Sequence, residues 1–310
     1  MKAVIVRRFG GPEVLEIADM PLPQPGPGQV RIRVAAASVN RIDLSTRNGA
    51  LTEAGLLAPA PEVWLGWDVA GEVNAVGPGT KRFAVGETVI GLRDVLSAPG
   101  TQAEQVVLDE SAVAPAPASV SSAEAATLPL IGLTADRALT LTGLRAGQTL
   151  LVTGAAGGVG GVVLELAALR GIRTVAVAAK PDEQLVRQLG ATEFVSRTEQ
   201  LGAAVRQVVP GGVDAVIDAA VVGIAAHDAL RGGGIFVALV APFAPPPLRA
   251  TRVVVQEVFA DGARLAELAA LVDAGQLTLR VAQALPLADV AVAHKRLADG
   301  GQRGRLVLLP

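Results

Sequence analysis

The stretch Leu150–Ala167, LLVTGAAGGVGGVVLELA, decides the fold. Leu150 to Thr153 is an apolar run of strand length, small residues follow it, and an apolar run broken by Glu165 starts near Val159 at helical length. A strand, a tight turn and a helix are predicted in that order. Glycines fall at Gly154, Gly157 and Gly160. This spacing lets the backbone turn sharply and approach a pyrophosphate, with helix-terminal amides and the positive end of the helix dipole facing the anion. Ala156 stands where the strict G-x-G-x-x-G pattern has its middle glycine. The bland reading is a tight strand–helix turn. Dinucleotide binding is preferred because a second strand follows the helix.

Toward the C-terminus the alternation continues. TVAVAA (174–179) reads as a second strand and DEQLVRQLG (182–190) as a helix. EFVS (193–196), AVIDAA (215–220) and GIFVALV (234–240) read as third, fourth and fifth strands. Strands alternating with helices predict a doubly wound parallel sheet. An acid bonded to the ribose 2′-hydroxyl is expected about 20 residues past the glycine loop in an NAD-using chain. Here the positions are Ala178, Ala179 and Lys180, with Arg197 after the third strand. Two cations and no opposing acid suit a 2′-phosphate, and so NADPH. The alternative is two solvated surface charges.

Toward the N-terminus helical periodicity disappears. AVIVRRF, QVRIRVAAASV, DVAGEVNAVG, GETVIGL and AEQVVLDESAVAPAP read as strands divided by Gly- and Pro-rich turns, an antiparallel, barrel-like region. After Pro117, Ser121 and Glu124 mark a helix start. The tail from Asp289 reads as a helix, a turn and a last strand.

The 310 residues suffice for two cores, and a formal net charge of -2 gives no footprint for nucleic acid or an anionic membrane. The opening MKAVIVRR lacks a signal peptide's apolar stretch, and no apolar run is a plausible membrane span, so a cytoplasmic chain is expected. There are no cysteines, no tyrosines and two histidines, His227 and His294. Disulfide and thiolate chemistry are excluded, a zinc site lacks its usual donors, and no phenol is available as an acid.

SVNRIDLSTRNG (38–49) resembles the N-x-x-D-x-x-x-R-x-G segment of the quinone oxidoreductase-like, zinc-free branch of the medium-chain dehydrogenase/reductase superfamily. In the same order, LGWDVAGEVNAVGPGTKRFAVGETVIGL, AATLPLIGLTA, TGAAGGVG, LGATEFVS, VDAVIDA and the closing GRLVLL are also similar to that branch. The resemblance implies an α/β chain with a GroES-like β-barrel catalytic domain (1–120 and 276–310) and a Rossmann domain (121–275). It implies that Asn40, the candidate catalytic residue, and Thr134 lie near the nicotinamide. By the same resemblance Ala156, Gly157, Gly158 and Val159 hold the pyrophosphate, and Ala178, Lys180 and Arg197 surround the adenosine phosphate. Ala219, Val240 and Ala241 would follow the nicotinamide ribose and carboxamide. The chain departs from the family pattern in carrying Ser45, Leu51 and Arg197 where tyrosines are frequent. It also runs from GLRDVLSAPG to TQAEQVV without a cysteine-rich lobe.

Single residues admit plainer roles. Asn40 can equally bond its own loop. Asp43 is expected to pair with Arg47 or to cap a short helix. Ser45 reads equally as facing the pocket or as exposed. Trp67 reads as packing, Asp218 as a ligand of loop amides, and the histidines as helix residues without a catalytic part. The expected activity is NADPH-dependent, metal-free hydride transfer to a small conjugated acceptor, namely a quinone, an enone or an enoyl group. A low-turnover NADPH-binding redox sensor or structural module is the alternative. A homodimer is expected from the resemblance, with RVVVQEVF (252–259) able to pair across an interface.

Overall fold

The computed structural model describes residues 1–94, 100–197 and 200–310; Val95–Pro99, part of the run GLRDVLSAPG, lies outside the described residues. The chain forms two compact units, Met1–Leu133 with Phe259–Pro310, and Thr134–Val258.

The first unit starts with β1 (Lys2–Val6), β2 (Glu16–Asp19) and β3 (Gln29–Val39), followed by the short helices α1 (Arg41–Arg47) and α2 (Ala50–Glu53). Next come β4 (Val63–Trp64), β5 (Asp68–Val76), β6 (Thr88–Leu92), β7 (Gln105–Asp109) and β8 (Val113–Pro115), then α3 (Ser122–Ala125) and α4 (Leu128–Thr142). β3 organises the barrel. One edge pairs antiparallel with β5; along the other, β7 takes Gln29–Arg33 and the C-terminal strand takes Ala37–Val39. Two register shifts in the β3–β5 ladder fall between Arg31 and Ile32 and between Val34 and Ala36. Such bulges bend a strand and increase its twist. Inward residues Val30, Ile32, Val34, Val69, Val73, Val89, Val106 and Leu108 form one core cluster. Trp67, just before β5, is fully packed at 1% exposure, as its reading as packing expects. β2, β1 and β4 make a separate three-stranded sheet.

The second unit begins within α4 and continues with β9 (Thr149–Thr153), α5 (Gly158–Leu169), β10 (Arg173–Ala178), α6 (Glu183–Gln188), β11 (Glu193–Ser196) and α7 (Leu201–Val208). β12 (Val213–Asp218), α8 (Ile224–His227), β13 (Leu230–Ala238) and β14 (Arg252–Val255) complete it. All six strands are parallel, in the order β11-β10-β9-β12-β13-β14. This is the doubly wound Rossmann sheet expected from the alternating pattern. β13 starts at Leu230, four residues before the run read as the fifth strand.

The chain then returns to the barrel unit through α9 (Gly262–Asp273), β15 (Val281–Pro286), α10 (Val290–Asp299) and β16 (Arg305–Leu309). β16 pairs antiparallel with β3, Leu306 opposite Val39, while β15 runs parallel to β16. The contact division at 133/134 and 258/259 falls inside the segment 121–275 read as Rossmann. The cause is packing: a Cβ on Gly262 would lie 2.3 Å from the Val113 carbonyl oxygen, so α9 starts flush against β8. Among the described residues, no helix is long and apolar enough to cross a membrane.

Candidate active site

In the Rossmann unit the strand order reverses direction beside β9: the sheet grows toward β10 and β11 on one side and toward β12, β13 and β14 on the other. A crevice at the carboxyl ends of the strands is the standard ligand position in such a sheet. The loop after β9 is built for close approach. Gly154 has φ 61°, and a Cβ on Gly160 would lie 2.3 Å from the Gly154 carbonyl oxygen. Gly157 is the N-cap of α5 and has no side chain of its own with which to cap it. Ala156, Gly157, Gly158 and Val159 follow one another at this turn, which a side chain at Gly160 would block. Ala219 follows β12, and Val240 and Ala241 follow β13, both on this carboxyl edge. Thr134 is buried at 8% exposure in α4.

The adenosine corner lies at the ends of β10 and β11. The Arg197 amide donates to the Ala178 carbonyl at 3.0 Å, which brings these residues together. Lys180 Nζ sits 5.4 Å from the Phe194 ring centroid. The expectation that no acid opposes the cations needs correcting. Glu183, one turn on, takes Lys180 at 2.5 Å and Arg187 at 3.0 Å. The hydrogen bond from Lys180 is the main cause of a lowered Glu183 pKa. Lys180 is 74% exposed, so solvent screens this pair and it contributes little. A phosphate dianion competes with it at small cost.

In the barrel unit, five polar side chains meet at the end of β3. Asn40 Nδ2 donates to Asp68 Oδ2 at 2.7 Å and to Ser38 Oγ at 3.3 Å, and Asn40 Oδ1 accepts from Arg305. Asp68 also accepts from the Ser38 hydroxyl and from the Leu130 amide at 2.5 Å. Asp43 caps α1, taking the Asn40 amide at 2.6 Å, and reaches across to the Gly66 amide at 3.0 Å. Arg47 instead donates to the Gly10 carbonyl and to His294 Nδ1. Of the two roles weighed for Asp43, the cap is realised. Burial pushes the Asp43 carboxyl from its ordinary 3.8 up to about 7, against the pull of its two amide donors. Burial likewise raises Asp68 and lowers Arg305. Both amide hydrogens of Asn40 are spent inside the protein, which leaves a ligand at most one lone pair of Oδ1. Asp68, Ser38 and Arg305 were not singled out from the sequence as site residues. The available signal was an acid at the head of the run DVAG, ahead of residues that alternate as a barrel strand.

Comparison with known proteins bears on both units. Residues 26–118 match the family described as alcohol dehydrogenase GroES-like domain, and residues 189–308 the one described as zinc-binding dehydrogenase. The whole chain is 32% identical to an NADPH-dependent alkenal/one oxidoreductase of Arabidopsis thaliana, covering 80% of that protein. It is also 32% identical to a quinone oxidoreductase of Pseudomonas aeruginosa, covering all of this chain and 99% of the relative. The chain belongs to the quinone oxidoreductase-like branch of the medium-chain dehydrogenase/reductase superfamily. The fold agrees: a mycobacterial protein solved in complex with NADPH superposes with a TM-score of 0.86 at 31% identity, over 100% of both chains.

For a member of this superfamily the fit of zinc turns on donor chemistry. The chain has no cysteine. His294 is buried against Arg47, with desolvation pushing it down to about 3. His227 is buried against the Thr251 hydroxyl at 2.8 Å, its pKa lowered by desolvation. Among the described residues, no group of three or more His, Cys, Asp or Glu can hold a metal ion. These residues do not fit zinc. They do fit a dinucleotide, through the glycine cradle and the cationic corner.

Proposed function

We propose that this chain is an NADPH-dependent reductase that passes a hydride to a conjugated acceptor, such as a quinone, an enone or an enoyl group, without a metal. The observation that carries the reading is the glycine cradle beside the switch point, with Lys180 and Arg197 at the neighbouring strand ends. The relatives named for NADPH, alkenals and quinones support it.

The chemistry a bound dihydronicotinamide supplies is the hydride. The chain's residues bind and orient. Backbone at Ala156, Gly157, Gly158 and Val159 and the dipole of α5 take the pyrophosphate. Lys180 and Arg197 take the 2′-phosphate, beside Ala178. Ala219, Val240 and Ala241 line the nicotinamide ribose, and the Thr134 hydroxyl offers it a hydrogen bond. Asn40 holds the corner between β3 and α1 as a positioning residue, its amide fixed by Asp68 and Arg305.

The second half of the reaction needs a proton. No tyrosine or cysteine exists, and both histidines are buried, with desolvation lowering the pKa of each, so water delivers it. General acid catalysis typically contributes about 100- to 10,000-fold. A site without it favours acceptors whose reduced form is already a stabilised anion: quinones first, activated enones next, simple ketones last. The test is NADPH oxidation by the purified chain with a panel of quinones, enones and ketones. Acceptor-dependent oxidation in that order is expected. No acceptor-dependent oxidation, or a preference for simple ketones, overturns the reading.

A further inference from the structure

The loop after β12 is strained. Val221 has φ 59°, and Gly223 beside it φ 65°. A β-branched residue with positive φ is an outlier, retained where its surroundings over-determine it. What over-determines it is Asp218, the last residue of β12, only 2% exposed. Its Oδ1 accepts the Val222 amide at 3.0 Å and its Oδ2 the Gly223 amide at 2.8 Å. The Thr153 hydroxyl, fully buried at the end of β9, donates to Oδ1 at 2.6 Å and accepts the Ala220 amide at 3.0 Å. Thr153 and Asp218 are register partners in adjacent strands, so the pair joins the two strand ends that flank the switch point. Among the described residues, no cation bonds this carboxylate. Three N–H and O–H donors hold it, and a buried carboxylate needs all of them.

The loop also sits flush on the glycine turn. A Cβ on Gly154 would meet the Ala219 carbonyl at 3.3 Å and the Ala220 side chain at 3.2 Å. If the adenosine phosphate lies over β10 and β11 and the pyrophosphate over the β9 loop, the rest of an extended dinucleotide continues over β12. That is where the tied loop stands.

We propose that Thr153 and Asp218 are a positioning pair: they hold Ala219–Gly223 in its strained form as a ready-made seat for the nicotinamide–ribose half of the cofactor. The adenosine half does not use this seat. The inference rests on the NADPH reading above and adds to it the residues that preorganise one half of the site.

The experiment is a pair of titrations, NADPH against 2′,5′-ADP, which carries the adenosine phosphates and lacks the nicotinamide. Thr153→Val and Asp218→Asn should each weaken NADPH binding by about tenfold or more, the scale of a hydrogen bond to a charged group. Binding of 2′,5′-ADP should stay close to the wild-type value, and Thr153→Ser, which keeps the hydroxyl, should bind both ligands as the wild type does. Variants that bind NADPH normally overturn the proposal. So does an equal loss of both ligands, which marks a merely structural role. If Asp218→Asn fails to fold, the contrast between Thr153→Val and Thr153→Ser decides alone. A wild-type chain that binds neither ligand overturns the cofactor reading itself and this proposal with it; a wild type that binds both, with unaffected variants, overturns this proposal only.

Discussion

At the scale of single residues, charge explains most of what the site can select. Lys180 and Arg197 stand at adjacent strand ends, and Glu183 already occupies Lys180 in the free protein. A 2′-phosphate offers Lys180 a dianion in place of one carboxylate. Lys180→Ala and Arg197→Ala should therefore each weaken NADPH by about tenfold or more and leave NADH nearly unchanged. Affinities for both cofactors check this, and equal losses would show that neither residue reads the phosphate. A second prediction concerns Asp43. Its carboxyl is raised to about 7 in the fold, so the folded state holds the proton more tightly than the unfolded chain. Its contribution to stability is present at low pH and is lost as the pH climbs from about 4 toward 7. Asp43→Asn should cost about 1–3 kcal/mol through a lost amide partner and flatten the pH dependence of the melting temperature across that window. A variant with the wild-type pH slope would sink the assignment.

Secondary-structure elements carried most of what was readable in advance. The run from β9 into α5 announces itself through strand length, glycine spacing and helical periodicity, all local signals. The start of α3 was equally legible. Ser121 accepts the Glu124 amide at 3.3 Å, and the Glu124 carboxylate reaches back to the Ser121 amide at 2.9 Å. Ser121→Ala should cost about 1 kcal/mol, a drop of a few degrees in melting temperature. No change would mean that the short helix is held by packing alone. The polar cluster around Asn40 was not legible, because its members come from four separate places: Ser38 and Asn40, Asp43, Asp68, and Arg305 at the far end of the chain. Only the pairing of β16 with β3 brings Arg305 to Asn40, and no local pattern encodes it. Glu183 was overlooked for a different reason. It follows Lys180 by three residues, ordinary helical spacing, but lies past the end of β10, and the pairing depends on the turn between β10 and α6.

For the molecule as a whole, two expectations follow from composition and topology. The proposed reaction uses no metal, so activity should survive chelator, and metal analysis of the purified protein should find no stoichiometric zinc. Inactivation by EDTA that zinc reverses would contradict the proposed mechanism. Among the described residues β14 is an edge strand, paired with β13 on one side only, and it carries the run RVVV. Unpaired strand edges are templates for another chain. A dimer joined through β14 is expected in sedimentation at micromolar concentration. Val255→Pro, at a position whose amide faces away from β13, should shift it toward monomer; a wild-type protein that sediments as a monomer removes the dimer. The placement of the aromatic residues has an optical consequence. Trp64 and packed Trp67 both belong to the barrel unit, the Rossmann unit has no tryptophan, and tyrosine is absent throughout. Intrinsic emission is thus a private label on one half of the chain. A denaturation curve followed by fluorescence records the melting of the barrel alone, whereas circular dichroism averages both halves. Any gap between the two curves measures, without an added dye or substitution, how far the halves unfold independently.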